Sequence, residues 1–301
     1  MKHVNHVRIT KNMSVKELLQ EYEKAGVMGA GRIGKAASIL TKMIQDKDCT
    51  IFFAQAGAMI PGGMKDVIHD ILKTGRIGCF ATTGATLTHD MVEALGYNHI
   101  QGKHDEDDAK LHKQGMDRMW DSYMPNNVYE GLEEWFNKNW NKIENAQTIP
   151  ELLSKIGEAL PENSILNICW QKKIQVFCPA LADSGIGLMI WGRLEEGRKI
   201  NVKAFEDLKQ IIRIAWDSKK NGVLYVGGGT PKNYCQQAMQ FSKQAVYAIQ
   251  ISTDVPEYGG SSGAPMKEGI SWGKLSEKAQ AVDVYCDATI ALPLIWAAVK
   301  E

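Results

Sequence analysis

The chain has 301 residues, enough for one large or two modest domains, with 44% hydrophobic and 23% charged residues, as in an ordinary soluble globular protein. Thirty-five basic residues balance 35 acidic ones, which argues against a general nucleic-acid binder, since such a protein normally uses a basic surface to displace counterions. No apolar run approaches a membrane span, and Met1-Lys-His-Val-Asn-His6 lacks the apolar core of a secretory leader.

Ser14-Val-Lys-Glu17 reads as a capping box opening a helix that stops near Gly26, and a second helix is predicted from about Arg32 to Ile44. Gly29-Ala-Gly-Arg-Ile-Gly34 matches the GxGxxG dinucleotide fingerprint, but no strand leads into it. The sequence therefore predicts a glycine-rich turn between two helices there. Strands are predicted at Thr50–Gln55 and Gly78–Thr83, followed by the helices Gly63–Lys73 and Leu87–Leu95 respectively. The polar stretch Asn98–Asn127 breaks this rhythm and reads as an excursion from the core. Helices at Val128–Glu144 and Ile149–Leu160 come next, then a strand at Ile174–Pro179 and a helix at Asn201–Lys219. The strands Val223–Val226, Ala245–Ser252 and Val282–Cys286 follow, with helices at Pro231–Lys243 and Thr289–Val299. Nearly continuous apolar strands alternating with helices imply a parallel sheet buried on both faces. The expected fold is α/β, doubly wound, mostly parallel and Rossmann-like, with residues 1–301 as a single domain.

The six cysteines form no CxxC pair, and Cys49, Cys79 and Cys286 sit in or beside apolar strand-like runs, where a thiol behaves as a small hydrophobe. Structural zinc and a disulfide framework are not expected, and a reducing cytoplasm fits best. His99, His104 and His112 flank Asp105-Glu-Asp-Asp108 with no recognised ligand spacing, so a solvated loop is expected rather than a metal site. Trp135 and Trp140 lie on a predicted helix and read as packing residues.

Glycine-rich loops follow two of the strands. Tyr225-Val-Gly-Gly-Gly-Thr-Pro231 leads into a helix whose first position is predicted to be Pro231, and free amides with a positive helix dipole there suit an anion. Thr82-Thr-Gly-Ala85 has the same character. Together with Asp183 and Asp287, each just past a strand, these loops favour a nucleotide site at the carboxyl ends of the strands. The segment Glu268-Gly-Ile-Ser-Trp-Gly-Lys274, reached through Gly259-Gly-Ser-Ser-Gly-Ala264, puts a carboxylate, an indole and an amine within seven residues. A lysine whose charge is suppressed in such a pocket can act as a nucleophile.

With these pieces assembled the chain resembles the deoxyhypusine synthase family along almost its whole length. The resemblance rests on Cys49-Thr-Ile-Phe-Phe53, Thr82-Thr-Gly84, Gly115-Met-Asp-Arg118 followed by Pro125-Asn126 and Tyr129, and Pro179-Ala-Leu-Ala-Asp183. It continues through Gly227-Gly-Gly229, Ser262-Gly-Ala264, Ser271-Trp-Gly-Lys274 and Asp287-Ala288. It implies NAD as cofactor, oxidation of a polyamine's secondary amine, and passage of a 4-aminobutyl group through an imine on the active-site lysine to a translation-factor lysine. Related homospermidine synthases use putrescine as acceptor. The family's homotetramers, with sites at subunit interfaces, are implied as well. Residue by residue, Lys274 is the expected nucleophile, and Trp272, Glu268 and Gly259 belong to the amine pocket. Thr83, Gly84, Asp183, Gly228, Thr253, Asp287 and Ala288 are the expected NAD contacts.

The departures concentrate at the substrate end. Leu188 and Ser261 stand where the family usually has acidic residues, Asn233 where it has a histidine tied to proton handling, and Thr88-His89 where it has two glutamates. Removing the partner of a desolvated ammonium costs about 3–5 kcal/mol if the charge stays buried. The resemblance therefore implies an NAD-dependent aminoalkyl transferase with a non-standard small amine or acceptor. A true deoxyhypusine synthase using spermidine, a homospermidine synthase-like enzyme and an inactive NAD-binding protein are the alternatives.

Overall fold

The structure, a computed structural model, describes residues 3–300. Its elements run α1 (Val15–Ala25), α2 (Met28–Gln45), β1 (Cys49–Gln55), α3 (Lys65–Lys73), β2 (Ile77–Thr82) and α4 (Gly84–Ala94). The middle of the chain gives β3 (Ile100–Gln101), α5 (Asp108–Lys113), β4 (Met116–Met119), β5 (Ser122–Pro125), α6 (Val128–Ile143) and α7 (Ile149–Ala159). Then come α8 (Ile165–Lys172), β6 (Gln175–Phe177), α9 (Gly185–Glu195) and α10 (Ala204–Asp217). The last part adds β7 (Lys220–Val226), α11 (Gly229–Gln240), β8 (Ala245–Ser252), β9 (Leu275–Tyr285) and α12 (Ala288–Lys300). These pack as two compact units.

Of the described residues, the first unit comprises those up to 57, 74–81 and those from 208 onward. Its strands lie side by side in the order β2-β1-β7-β8-β9, and the pairs β1/β7, β7/β8 and β8/β9 are parallel. Helix α2 packs on β1, β8 and β9, and α11 packs on β1 and β7. The mostly parallel α/β arrangement is the one the strand–helix alternation predicts. Ile51, Phe52, Phe53, Phe80, Leu224, Tyr225 and Ile249 are buried at its centre, with the Phe53 and Phe80 rings 5.1 Å apart. Burying each such side chain contributes about 1.5–3 kcal/mol.

Helix α1 begins as read: Ser14 Oγ accepts from the Glu17 amide at 3.2 Å, and the Glu17 carboxylate accepts from the Ser14 amide at 2.8 Å. The glycine-rich stretch after it is not a turn, however. Helix α2 starts at Met28 and absorbs Gly29, Gly31 and Gly34 into its first turns. A β-carbon on Gly34 would lie 2.4 Å from the Glu23 backbone nitrogen, and one on Gly31 would lie 2.5 Å from the Gly26 carbonyl carbon. These glycines exist so that α1 and α2 can touch backbone to backbone, a tertiary requirement that outweighs their low helix propensity.

Two other boundaries move for physical reasons. Strand β9 begins at Leu275, seven residues before the predicted Val282, because β8 pairs with Leu275 and with the exposed Gln280, and a register shift between them takes up the exposed Glu277 and Lys278. Helix α11 begins at Gly229, so Pro231 falls inside the first turn rather than at its first position.

The second unit comprises residues 58–73 and 82–207. Helices α3, α4 and α6–α9 pack around Leu132, Phe136, Trp140, Ile156 and Ile165, all buried. Trp135 is buried beside Phe136, as expected of packing residues. The polar excursion contains α5 and the antiparallel strands β3-β5-β4. Helices α8 and α9 escape the sequence reading, since each follows a loop with no strong periodic run before it. Their starts are nonetheless capped, with Ser164 Oγ accepting from the Asn167 amide and Ser184 Oγ from the Gly187 amide.

Candidate active site

The Glu268–Lys274 segment lies in the first unit, between a short 3-10 helix (Met266–Ile270) and the start of β9. The Gly273 and Lys274 amides donate to the Ile270 and Gly269 carbonyls at 3.0 and 2.8 Å. Gly273 sits at φ +70°, a left-handed turn that a side-chain-free residue adopts without strain. This turn lays the Lys274 ammonium nitrogen 5.0 Å above the Trp272 ring. The lysine is half-buried and the indole is exposed.

Burial pulls the Lys274 pKa below its ordinary value, and the Glu268 carboxylate works against that shift. The indole acts in the same direction as Glu268, because its π face attracts a cation. The depression therefore comes from desolvation alone. Glu268 is exposed, free to meet an ammonium on a small molecule.

The Gly259–Ala264 loop is fastened from beneath by a residue the sequence reading passed over. Lys232, in the first turn of α11, is 1% exposed, and its ammonium donates to the Ser261 and Ala264 carbonyls at 2.6 and 2.7 Å. Gln250 adds a bond to the Ser262 carbonyl at 2.6 Å, and Ser262 Oγ accepts from the Gly229 amide at 2.8 Å. Burial brings the Lys232 pKa down to about 8, with Asp283 and Glu268 resisting and Lys274 assisting. The available signal was a lysine on the apolar face of an otherwise buried helix. Gly259 itself is exposed at φ +68°, ending the 3-10 turn Pro256–Tyr258.

Among the expected cofactor contacts, Gly228, Thr253, Asp287 and Ala288 belong to the first unit. Gly228 is the N-cap of α11 and is packed against Ser262, where a β-carbon would come within 2.4 Å of the Ser262 α-carbon. Beside it, a β-carbon on Gly229 would meet open space. A positive helix end facing open space fits an anionic group such as a pyrophosphate. Thr253 is exposed immediately after β8. Asp287 starts α12, with one carboxylate oxygen accepting from the Thr289 amide at 2.7 Å and the Thr289 hydroxyl at 2.5 Å. Those two bonds hold its carboxyl below the usual range, so at neutral pH it is an anion fit to accept from a ribose hydroxyl. The donor set suits a dinucleotide.

Thr83, Gly84 and Asp183 belong to the second unit. Thr83 caps α4, its hydroxyl accepting from the Thr86 amide at 3.2 Å. Gly84 packs on Ser184, where a β-carbon would lie 2.5 Å from the serine hydroxyl. Thr88 ties α4 to α9, donating to the Gly84 carbonyl at 2.9 Å and accepting from the Ile186 amide at 3.2 Å. Asp183 is exposed just before the Ser184 cap, so the N-termini of α4 and α9 meet beside it.

The altered positions occupy distinct settings. Leu188 is 53% exposed on α9 and lines an apolar cleft of about 290 Å³ with Leu152, Ile190, Trp191 and Leu194. That lining carries no acidic side chain to pair with an ammonium. Asn233 is half-buried on α11, and the Ser261 hydroxyl donates to the Gly229 carbonyl at 3.3 Å. His89 on α4 bonds His99, which in turn bonds Glu93. His99 is thereby removed from the polar cluster with which it was read. His104 instead stacks on Trp120 at 5.1 Å, and Asp108 pairs with Arg118 at 2.6 Å. Five of the six cysteines are buried, and burial pushes the Cys49 and Cys178 thiols up to about 12.

Residues 17–299 match the family model for deoxyhypusine synthase. The chain is 41% identical over 300 residues to "probable deoxyhypusine synthase 1" of Methanosarcina acetivorans, covering 99% of this chain and 94% of that one. It is 37% identical to the protein of the same name from Archaeoglobus fulgidus, covering 98% and 96%. A candidate deoxyhypusine synthase from Entamoeba histolytica, solved by crystallography, superposes with a TM-score of 0.66 at 18% identity over 95% of this chain and 93% of that one. This last likeness speaks for the fold alone.

Proposed function

The chain belongs to the deoxyhypusine synthase family, and we propose that it is an NAD-dependent aminoalkyl transferase working through an imine on Lys274. The observation that carries this reading is the half-buried Lys274 amine, lowered in pKa and held over Trp272 in the same short segment as Glu268. Binding of a dinucleotide alone needs none of these three. Bound to the protein, NAD would supply a hydride acceptor for the carbon next to an amine nitrogen. Glu268 anchors the substrate's ammonium, Trp272 walls the aliphatic chain, and the neutral fraction of Lys274 attacks the oxidised carbon and releases the departing amine. An amine acceptor then displaces Lys274 from the imine carbon, and return of the hydride to that carbon would leave an aminoalkyl group, a 4-aminobutyl group in the family's usual case, on the acceptor as a secondary amine. Gly228, Thr253, Asp287 and Ala288, with Thr83, Gly84 and Asp183, are the proposed cofactor contacts, and Gly259 belongs to the amine pocket.

Leu188, Asn233, Ser261 and His89 support a substrate other than spermidine in its usual pose, with putrescine and other small amines as candidates. A second reading, true deoxyhypusine synthase activity on a translation-factor lysine, is supported by the 41% identity to a relative carrying that name. The same family membership supports a cytoplasmic homotetramer as part of this reading. Incubation with NAD and a panel of amines, borohydride trapping and peptide mass spectrometry test the proposal. An aminoalkyl adduct on Lys274, absent in Lys274→Arg, is expected; no adduct with any amine overturns it. Transfer of label from spermidine to a translation-factor lysine decides for the second reading.

A further inference from the structure

Strands β8 and β9 end side by side in the first unit, with Ser252 paired to Tyr285, and β9 closes the row of strands. Ligands of open α/β sheets gather at such carboxyl ends. One residue past Ser252 stands the exposed Thr253, and two residues past Tyr285 stands the exposed Asp287, both proposed cofactor contacts. Tyr285 lies among them and is 46% exposed, an aromatic ring that the fold leaves half in water.

That ring is held in place. Arg32, in the second turn of α2, lays its guanidinium over it at 5.0 Å from the ring centre. The guanidinium is itself anchored, donating to the Asp283 carbonyl at 3.0 Å. Arg32 is exposed, and among the described residues it forms no ion pair with a carboxylate. A flat ring fixed in advance and backed by a cation is a stacking surface for an uncharged aromatic base, and fixing it beforehand lowers the ordering cost of binding. Arg32 also lies inside the Gly29–Gly34 stretch, where Gly31 and Gly34 serve the contact with α1. That stretch therefore reaches the sheet's carboxyl end through its arginine and not through its glycines.

Asp287 supplies a polar partner beside the ring. Both Thr289 bonds fall on its Oδ1, so Oδ2 is left without a partner among the described residues. Two residues of chain span at most about 7 Å, a separation that one nucleoside bridges with its base at Tyr285 and its ribose hydroxyls at Asp287. Charge decides which nucleoside. The nicotinamide of NAD is positive and the fixed Arg32 guanidinium repels it, whereas adenine is uncharged at neutral pH.

We propose that Tyr285 and Arg32 form the shelf on which the adenine of NAD stacks, with Asp287 Oδ2 accepting from a hydroxyl of the attached ribose. This rests on the reading of the chain as NAD-dependent. It makes the three residues binding groups and gives them no part in the chemistry at Lys274.

Titration calorimetry on the full chain tests the shelf, with NAD and with ADP-ribose, which carries the adenosine half without the nicotinamide. Tyr285→Ala is expected to weaken both by about 10- to 100-fold, the range of one lost base–aromatic stack. Tyr285→Phe keeps the ring and should bind close to wild type. Arg32→Gln should cost about 2- to 5-fold, as for an exposed cation–π contact. Photolabelling of the wild type with 2-azidoadenine dinucleotide, followed by peptide mass spectrometry, reads the position directly. Label is expected at Tyr285 or Arg32, suppressed by excess NAD. Wild-type affinity for ADP-ribose in Tyr285→Ala, equal losses in the Ala and Phe variants, or NAD-suppressible label confined to peptides lacking both residues each overturns the shelf. If the wild type binds neither NAD nor ADP-ribose, the proposed function fails and the shelf with it. Failure of the shelf in a protein that binds NAD leaves the lysine chemistry standing.

Discussion

Replacing Lys232 by methionine, at constant apolar volume, separates two effects that coexist at one buried atom. The ammonium makes two short bonds to the Ser261 and Ala264 carbonyls, yet burial brings its pKa from 10.5 down to about 8. A lysine whose folded pKa lies below its unfolded value is charged in both states below pH 8, and there the folded state bears the penalty of the buried charge. Between about pH 8 and 10.5 the folded protein releases that proton while the unfolded chain still holds it. Stability therefore rises through this window. At about 1.4 kcal/mol per pH unit, the gap sets a ceiling of about 3.5 kcal/mol on that rise. Lys232→Met lacks it. Urea unfolding of both proteins at pH 7.5, 8.5, 9.5 and 10.5 isolates Lys232, because every other group titrates in both. The wild type is expected to gain on the variant by about 2–3 kcal/mol across the series. Hydrogen exchange at Gly259–Ala264 should be faster in the variant at pH 7.5, where the two carbonyls have lost their donor. A stability difference that is flat or shrinks with pH, or a loop whose exchange is unchanged, refutes the reasoning.

Other outcomes follow from the same geometry. Glu268→Gln removes the carboxylate that opposes depression of the Lys274 pKa, so acylation of Lys274 by acetic anhydride at pH 8 should accelerate severalfold while amine binding weakens. Asp207 is 5% exposed and accepts from the Ile149 amide at 3.1 Å, with burial raising its pKa to about 6. A carboxyl raised on folding loses stability as pH climbs from about 4 to 6, and Asp207→Asn should abolish that slope in thermal melts. Gly34→Val puts a β-carbon 2.4 Å from the Glu23 backbone nitrogen, and forcing α1 from α2 should cost about 1–3 kcal/mol or more by urea unfolding. Thr83→Ala removes the cap of α4 and should cost about 1 kcal/mol with the fold retained.

What the residues alone determined is the content that depends on local chemistry. The Ser14–Glu17 box, the apolar runs of β1, β2, β7 and β8 and the helices between them are written in spacing and propensity, and they specify the α/β class. Lys274, Trp272 and Glu268 were legible because they share one short segment, and a resemblance carried by many such segments in one order was legible for the same reason. The tertiary structure decided whatever depends on residues distant in sequence. It turned Gly31 and Gly34 from loop residues into a helix contact because α1 and its C-cap Gly26 approach within backbone distance. It extended β9 through polar residues because β8 offered a pairing edge. It made Lys232 a buried clamp across about thirty residues of chain, and it joined His89, His99 and Glu93, whose six- and ten-residue separations match no familiar motif. Periodicity encodes which face of an element is buried; it does not encode which other element will cover that face.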